Sequence, residues 1–218
     1  MLKAMPFPSA IFSLIAVGAL WLAVGNSLGL WLGGFGVVAL LLPPLCLHGP
    51  TLLKRLIDAA IVTDCIVVVW LLSAAGASVT LLDWFLCTAV LYAFAAAGFG
   101  MAHALRALRL PADLAAAGAI LVLTGWLAAP VWLSPVMNDS LADVISSYHP
   151  LIAINSRLAE LGIWLEQPII YRHTVLGQDV AYSLPSSLWP VILLHAAVGG
   201  CAASIAIFTG FWRARTID

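Results

Sequence analysis

Apolar residues in this chain come in long unbroken runs, and polar residues serve as punctuation between them. A helix needs about 20 mostly apolar residues to cross a hydrocarbon core of roughly 30 Å. Six runs approach or exceed that length: Phe7 to Val24, Leu28 to Leu47, Ala59 to Leu81, Trp84 to Leu105, Pro111 to Leu133, and Ser187 to Trp212. Only Gly25-Asn26-Ser27 separates the first two, and the third turns into the fourth near Asp83. Pro111 suits a first helical turn and Asp113 suits the positive end of a helix dipole. The pattern predicts one all-α, polytopic membrane domain over residues 1–218, with six transmembrane helices and one long loop, 134–186.

That loop has its own periodicity. Leu141, Val144, Ile145 and Tyr148 share a face at helical spacing within Ser140 to Tyr148. Asn138 or Asp139 supplies an N-cap, and Pro150 ends the helix. A second stripe follows, Leu151, Ile154, Leu158, Leu161 and Leu165, with Arg157 and Glu160 off it. Two short amphipathic helices are expected to lie along the outer membrane surface or dip into it. Gln167 to Pro185 is polar and turn-rich, and reads as an ordered loop. Between the second and third runs, Pro50 can open a helical turn over Pro50 to Asp58. Lys54 and Arg55 there would face water or a partner, or snorkel at the membrane edge.

Composition sharpens the class. The chain is 63% hydrophobic and 9% charged, with a mean hydropathy of +1.09, whereas soluble domains run about 45–50% apolar and about 25% charged. Of nine basic residues, all but Arg157 and Arg172 fall on one side of the predicted spans, including Lys3, Lys54, Arg55, Arg106, Arg109, Arg213 and Arg215. The positive-inside rule makes that side the cytoplasm, so both termini are expected there, in the plasma (inner) membrane. Asp83, Asp139, Asp143, Glu160, Glu166 and Asp179 then fall outside. Lys3 and the first apolar run have the look of a secretory signal, but are taken as an uncleaved first span. A net charge of −1 with no basic stripe gives no reason for a nucleic-acid partner.

Small residues are dense in the spans, and in lipid they permit close backbone approach. Gly98 with Ala102, and Gly200 with Ser204, have the small-xxx-small spacing. Cys46, Cys65, Cys87 and Cys201 lie in or beside apolar runs without a CxxC pair, and read as small core residues.

Three ionisable residues fall inside predicted spans, where such groups are costly and mark function. Asp64 lies roughly 7–8 Å from the inner edge, His103 near the inner end of its span, and His195 about 12 Å from the outer edge at about 1.5 Å per residue. On those depths Asp64 can reach His103 but not His195. A haem bridging His103 and His195 is disfavoured for the same reason. His48 and His103 share a level, and a haem there ranks low. His195 is expected to bond a neighbouring hydroxyl or carbonyl. His149, His173, Glu160, Glu166 and Asp179 have no metal-site spacing. No P-loop, GxSxG or dinucleotide fingerprint occurs, so no catalytic residue, cofactor or metal is assigned.

The order of parts resembles the membrane permease of type-2 ABC exporters. The elements that carry the likeness are Pro50 to Asp58, the short helices over Ser140 to Glu166, and the stretch His149-Pro150-Leu151-Ile152-Ala153-Ile154-Asn155. The resemblance implies six spans, a cytoplasmic coupling element carrying Lys54 and Arg55, and a separate nucleotide-binding ATPase subunit. It also implies a pathway between two permease halves. The competing class is a non-catalytic membrane subunit or anchor of a larger complex. A carrier coupled through Asp64 ranks last, because the chain lacks internal repeats or a Gly/Pro-broken span pair near the midplane.

Overall fold

A computed structural model of the chain describes residues 27–48, 51–74, 79–160 and 184–215, together with 15, 18 and 19. Its regular elements are all helical: α1 (Ser27–Leu47), α2 (Leu52–Ala74), α3 (Leu81–Ala107), α4 (Ala112–Leu127), α5 (Ala129–Trp132), α6 (Asp139–Tyr148), α7 (Pro150–Glu160) and α8 (Trp189–Arg215). A 3-10 turn, Ser134–Val136, separates α5 from α6. α3 and the Trp189–Thr209 part of α8 are long and apolar enough to cross a membrane. The expected first span, 7–24, falls outside the described residues except for 15, 18 and 19, as do residues 161–183 of the long loop.

Local chemistry explains the helix ends. Thr80 caps α3 by accepting from the Asp83 N–H at 3.2 Å, while its hydroxyl donates back to the Asp83 carboxylate. At the other end Arg109 takes a left-handed φ of 71°, and Arg106 Nη1 closes the turn onto the Leu110 carbonyl at 2.9 Å. α2 starts at Leu52, so the segment Pro50 to Asp58 is no separate coupling helix: its described part is the first turns of α2. No Gly or Pro interrupts residues 52–74, and the Lys54–Asp58 pair at 3.1 Å adds an i,i+4 tie just before the expected junction at Ala59. α4 stops at Leu127, short of the expected Leu133, because Pro130 cannot donate to the Trp126 carbonyl one turn back.

α3 is the central post, touching α1, α2, α4, α7 and α8. Its paired contacts give the directions. Phe35 meets Phe94 and Leu42 lies beside Gly98, so α1 runs parallel to α3. Phe94 meets His195 and Gly100 abuts Gly199, so α8 does too. Leu105 and Leu123 face Gly118 and Gly98, so α4 runs the other way. Rings in contact cross the bundle as Trp70, Trp31, Phe35, Phe94, His195, Trp126 and His149, with centroids 5.0–6.5 Å apart. Such tilted and edge-on pairs suit the aromatic quadrupole.

The α3–α8 seam is built on Gly100 and Gly199, which lie outside the Gly98–Ala102 and Gly200–Ser204 spacings noted in the sequence. A Cβ on Gly100 would sit 2.3 Å from the Gly199 carbonyl oxygen, so the two backbones touch. Gly200, by contrast, has nothing within 4 Å, and Gly98 faces Leu42 and Leu123. The buried stripe of α8 runs Val191, His195, Gly199 and Ala202, continuing from Leu188 just before it, which turns Gly200 and Ser204 outward.

The short helices also differ from expectation. α7 is not amphipathic over its described side chains: Leu151 through Ser156 and Leu158 are all buried, with only Arg157 half-exposed. Leu151, Ile154 and Leu158 join the same core as Trp31 and Phe94, so α7 is tucked into the bundle rather than laid over it. α6 buries Ala142, Ile145 and Ser146, and exposes Val144 and Tyr148 from the expected stripe. Ala142 and Ser146 let α6 dock closely on the face that buries Ile145, and apolar Val144 and Tyr148 are left on the outside.

Candidate functional site

The polar chemistry within the core gathers where α4 breaks. Pro130 removes the amide that would bond the Trp126 carbonyl, and the Val131 amide turns back to Ala128 at 2.9 Å, freeing the Leu127 carbonyl as well. His149 answers both. Its Nε2–H donates to the Trp126 carbonyl at 3.1 Å and shares the Leu127 carbonyl at 3.3 Å. Its Nδ1 accepts from the Ile152 N–H at 3.4 Å, and its own amide closes α6 onto the Ile145 carbonyl at 2.8 Å. One residue, through its amide and its ring, therefore terminates α6, opens α7 and caps α4. Trp132 Nε1 donates to the neighbouring Gly125 carbonyl at 2.7 Å, completing that helix end.

The array continues through the Trp126 indole, whose N–H donates to His195 Nε2 at 3.1 Å. His195 in turn donates from Nδ1 to the Val191 carbonyl at 2.8 Å. Both imidazoles are thus assigned as neutral tautomers by their partners. His149 is fully buried, and desolvation pushes its imidazole down to about 4, against the opposing pull of the Leu127 and Trp126 carbonyls. An unfolded histidine titrates near 6.5, so between pH 6.5 and 4 the unfolded chain binds a proton that the folded chain refuses. Stability from this group is complete above about pH 6.5 and falls as pH drops toward 4, by about 3 kcal/mol over the window. His149→Gln keeps an N–H donor without a titrating ring, and should flatten the fall in thermal midpoint over that range. An equally steep fall in the variant would remove His149 as its source.

A second polar cluster lies beside it. Asp83, 1% exposed, takes the Nε–H of Arg157 across from α7, while Thr80 holds its other oxygen. This pair pins α7 to the start of α3. It borders a small polar recess of about 120 Å³ formed with Ser156, Ser186 and Ser187.

The residues singled out from sequence are dispersed. Asp64 lies on an exposed face of α2 and accepts from the Tyr92 hydroxyl of α3, not from His103. His103 stacks on Phe99 at 4.5 Å, and its buried Nε2 has no partner among the described residues. His48 bonds the Pro44 carbonyl at 2.6 Å. Lys54 is tied to Asp58, Arg55 is half-buried, and Leu52, Leu53, Leu56 and Ile57 are the exposed side chains of that turn. No motif joins His149 and Trp126, the two residues that organise the site. The signal was Pro130, which leaves a carbonyl unpaired one turn earlier and demands a donor from elsewhere. Among the described residues no group of three His, Cys, Asp or Glu side chains could hold a metal.

Among the described residues these features define an all-helical fold with two helices long and apolar enough for a membrane and a broken-helix pair folded into its core. No protein-family model matches the chain, and no curated protein or solved structure matches it.

Proposed function

We propose that this chain is a multi-pass subunit of the plasma (inner) membrane with six spans and both termini in the cytoplasm, and that it serves as the permease half of an ATP-driven exporter. The observation that carries this reading is the helix break at His149-Pro150, fully buried and wired to the broken end of α4. Interrupted backbone away from water is tolerated only where protein satisfies it, and here the outer loop does so, in the place where this class of permease carries its short helices. A plain anchor needs only continuous helices. On this reading two copies flank the pathway, and a separate ATPase grips the start of α2. That grip would fall on exposed Leu52, Leu53, Leu56 and Ile57, with Arg55 beside them.

The competing reading is a non-catalytic subunit that packs against other membrane proteins. The wide apolar exposure of α8, from Leu193 to Phe208, favours it. Affinity purification in mild detergent separates the two. A stoichiometric ATPase subunit is expected to co-purify and to drop at least tenfold with Leu53→Glu plus Leu56→Glu, while the permease itself elutes unchanged. These positions are cleaner probes than Lys54, whose change also breaks the Asp58 pair. Recovery of other membrane or envelope subunits, without an ATPase, would sink the exporter reading.

A further inference from the structure

α4 and α8 both lean on α3 but diverge from one another. The wedge between them is a cavity of about 260 Å³, lined by Ala97, Met101, Leu123, Trp126, His195 and Val198. Its lining is apolar except where the Trp126 indole meets His195, and those two atoms already satisfy each other at 3.1 Å. Water entering would find no free partner, and an apolar cavity of even about 150 Å³ stays dry and takes apolar molecules. The mouth opens sideways, since Val122, Leu194 and Val198 on its rim are all exposed.

Depth then selects the occupant. Val198 lies nine residues into α8 and Val122 ten residues into α4, from opposite ends of the bundle. At a rise of about 1.5 Å per residue, each is about 14–15 Å from its end of the helix, which is the middle of a core roughly 30 Å thick. Only the distal parts of lipid chains reach that level.

We infer that the α3–α4–α8 cavity binds the distal part of an acyl chain from a bilayer lipid. This rests on the membrane-spanning reading above. The chain enters laterally between α4 and α8 and packs against Ala97 and Met101, with its tip under the Trp126–His195 pair. A flexible chain fills such a slot at little cost, whereas a facing helix from a second copy could insert only single side chains.

The test is photolabelling in phosphatidylcholine vesicles with a phospholipid carrying a diazirine near its chain end, read by peptide mass spectrometry. Leu40 and Val68, exposed on α1 and α2, report lipid that merely surrounds the protein. Labelling at Met101, Leu194 and Val198 is expected to exceed that at Leu40 and Val68 at least fivefold. Val198→Trp, which plugs the mouth from the exposed side, should abolish the excess and leave Leu40 and Val68 unchanged. Val122→Trp plugs it from α4 and guards against a folding defect in the first variant. Cavity labelling no higher than the reference positions, or insensitive to both plugs, would overturn the inference while leaving the membrane reading intact. Absence of labelling everywhere would overturn both. A shift from dimer to monomer in both plugged variants would hand the cavity to a second copy instead.

Discussion

Replacing Gly199 with leucine is expected to separate α8 from α3 and to abolish a monodisperse folded species in detergent. The physical reason is backbone contact rather than packing in general. A Cβ at Gly199 would lie 2.6 Å from the carbonyl carbon and oxygen of Ala96, and one at Gly100 would lie 2.3 Å from the Gly199 carbonyl oxygen. Backbone atoms cannot rotate aside as a side chain can. Even Gly100→Ala must therefore push the two helices apart, at a cost of about 3 kcal/mol, the upper end for overpacked sites. Among the described residues the main neighbour of α8 is α3. The control is one residue away: Gly200→Ala meets nothing within 4 Å and should change stability by less than about 0.5 kcal/mol. Thermal unfolding in detergent with size-exclusion profiles decides the matter. Equal midpoints for the Gly199 and Gly200 variants would refute the seam.

Arg157→Met is expected to destabilise nearly as much, by about 3 kcal/mol, through the carboxylate it abandons. Asp83 is 1% exposed, and with Arg157 gone Thr80 is its remaining described side-chain partner. Breaking a buried pair by removing one member leaves a charge without compensation, which costs more than the pair itself contributes. Arg157 is about a third exposed, so water screens part of the interaction and the lower end of the usual range applies. Removing both charges should recover much of the loss. Asp83→Asn with Arg157→Met keeps a side chain near Thr80 at the start of α3 while abolishing the charge. A double-mutant cycle on unfolding midpoints should give a coupling above about 1.5 kcal/mol. Strict additivity of the two single changes would show that Asp83 and Arg157 do not act as a pair.

Both predictions concern residues whose types, but not whose roles, were visible along the chain. Asp83 falls at a turn between two apolar runs, and a turn aspartate is ordinarily solvated. Its burial depends on α7 folding back over the start of α3, a contact between residues 74 apart. Gly98 with Ala102 and Gly200 with Ser204 have the small-xxx-small spacing, but so do Gly100 with Ala104 and Gly199 with Ala203, so spacing does not choose between them. Which glycine meets a neighbour is set by the rotation of each helix about its axis, and in uniformly apolar helices no polar face announces that rotation. The same ambiguity misplaced the buried face of α6. It also made α7 look amphipathic, because Arg157 and Glu160 read as a solvent face while Arg157 in fact reaches Asp83.

His149 shows the limit from the other side. Pro130 and Pro150 were legible as helix breaks, and each break leaves backbone groups without partners as a matter of covalent structure. What satisfies them was not legible. The donor comes from 22 or 23 residues away, and only folding back brings the ring to the Trp126 and Leu127 carbonyls.

By itself, the sequence determined the all-helical class, most helix boundaries, the apolar surface of the long helices and the existence of a broken pair before the last one. Those follow from hydropathy, helix length and proline geometry, which are local properties. The tertiary structure alone decided that α7 is core rather than cover, that Gly100 meets Gly199, that Asp64 bonds Tyr92, and that His149 and His195 are joined through Trp126. Each of these is a choice of helix rotation and docking depth. Where every face of a helix is apolar or small, close-packing of particular shapes makes that choice, and no one-dimensional pattern encodes it.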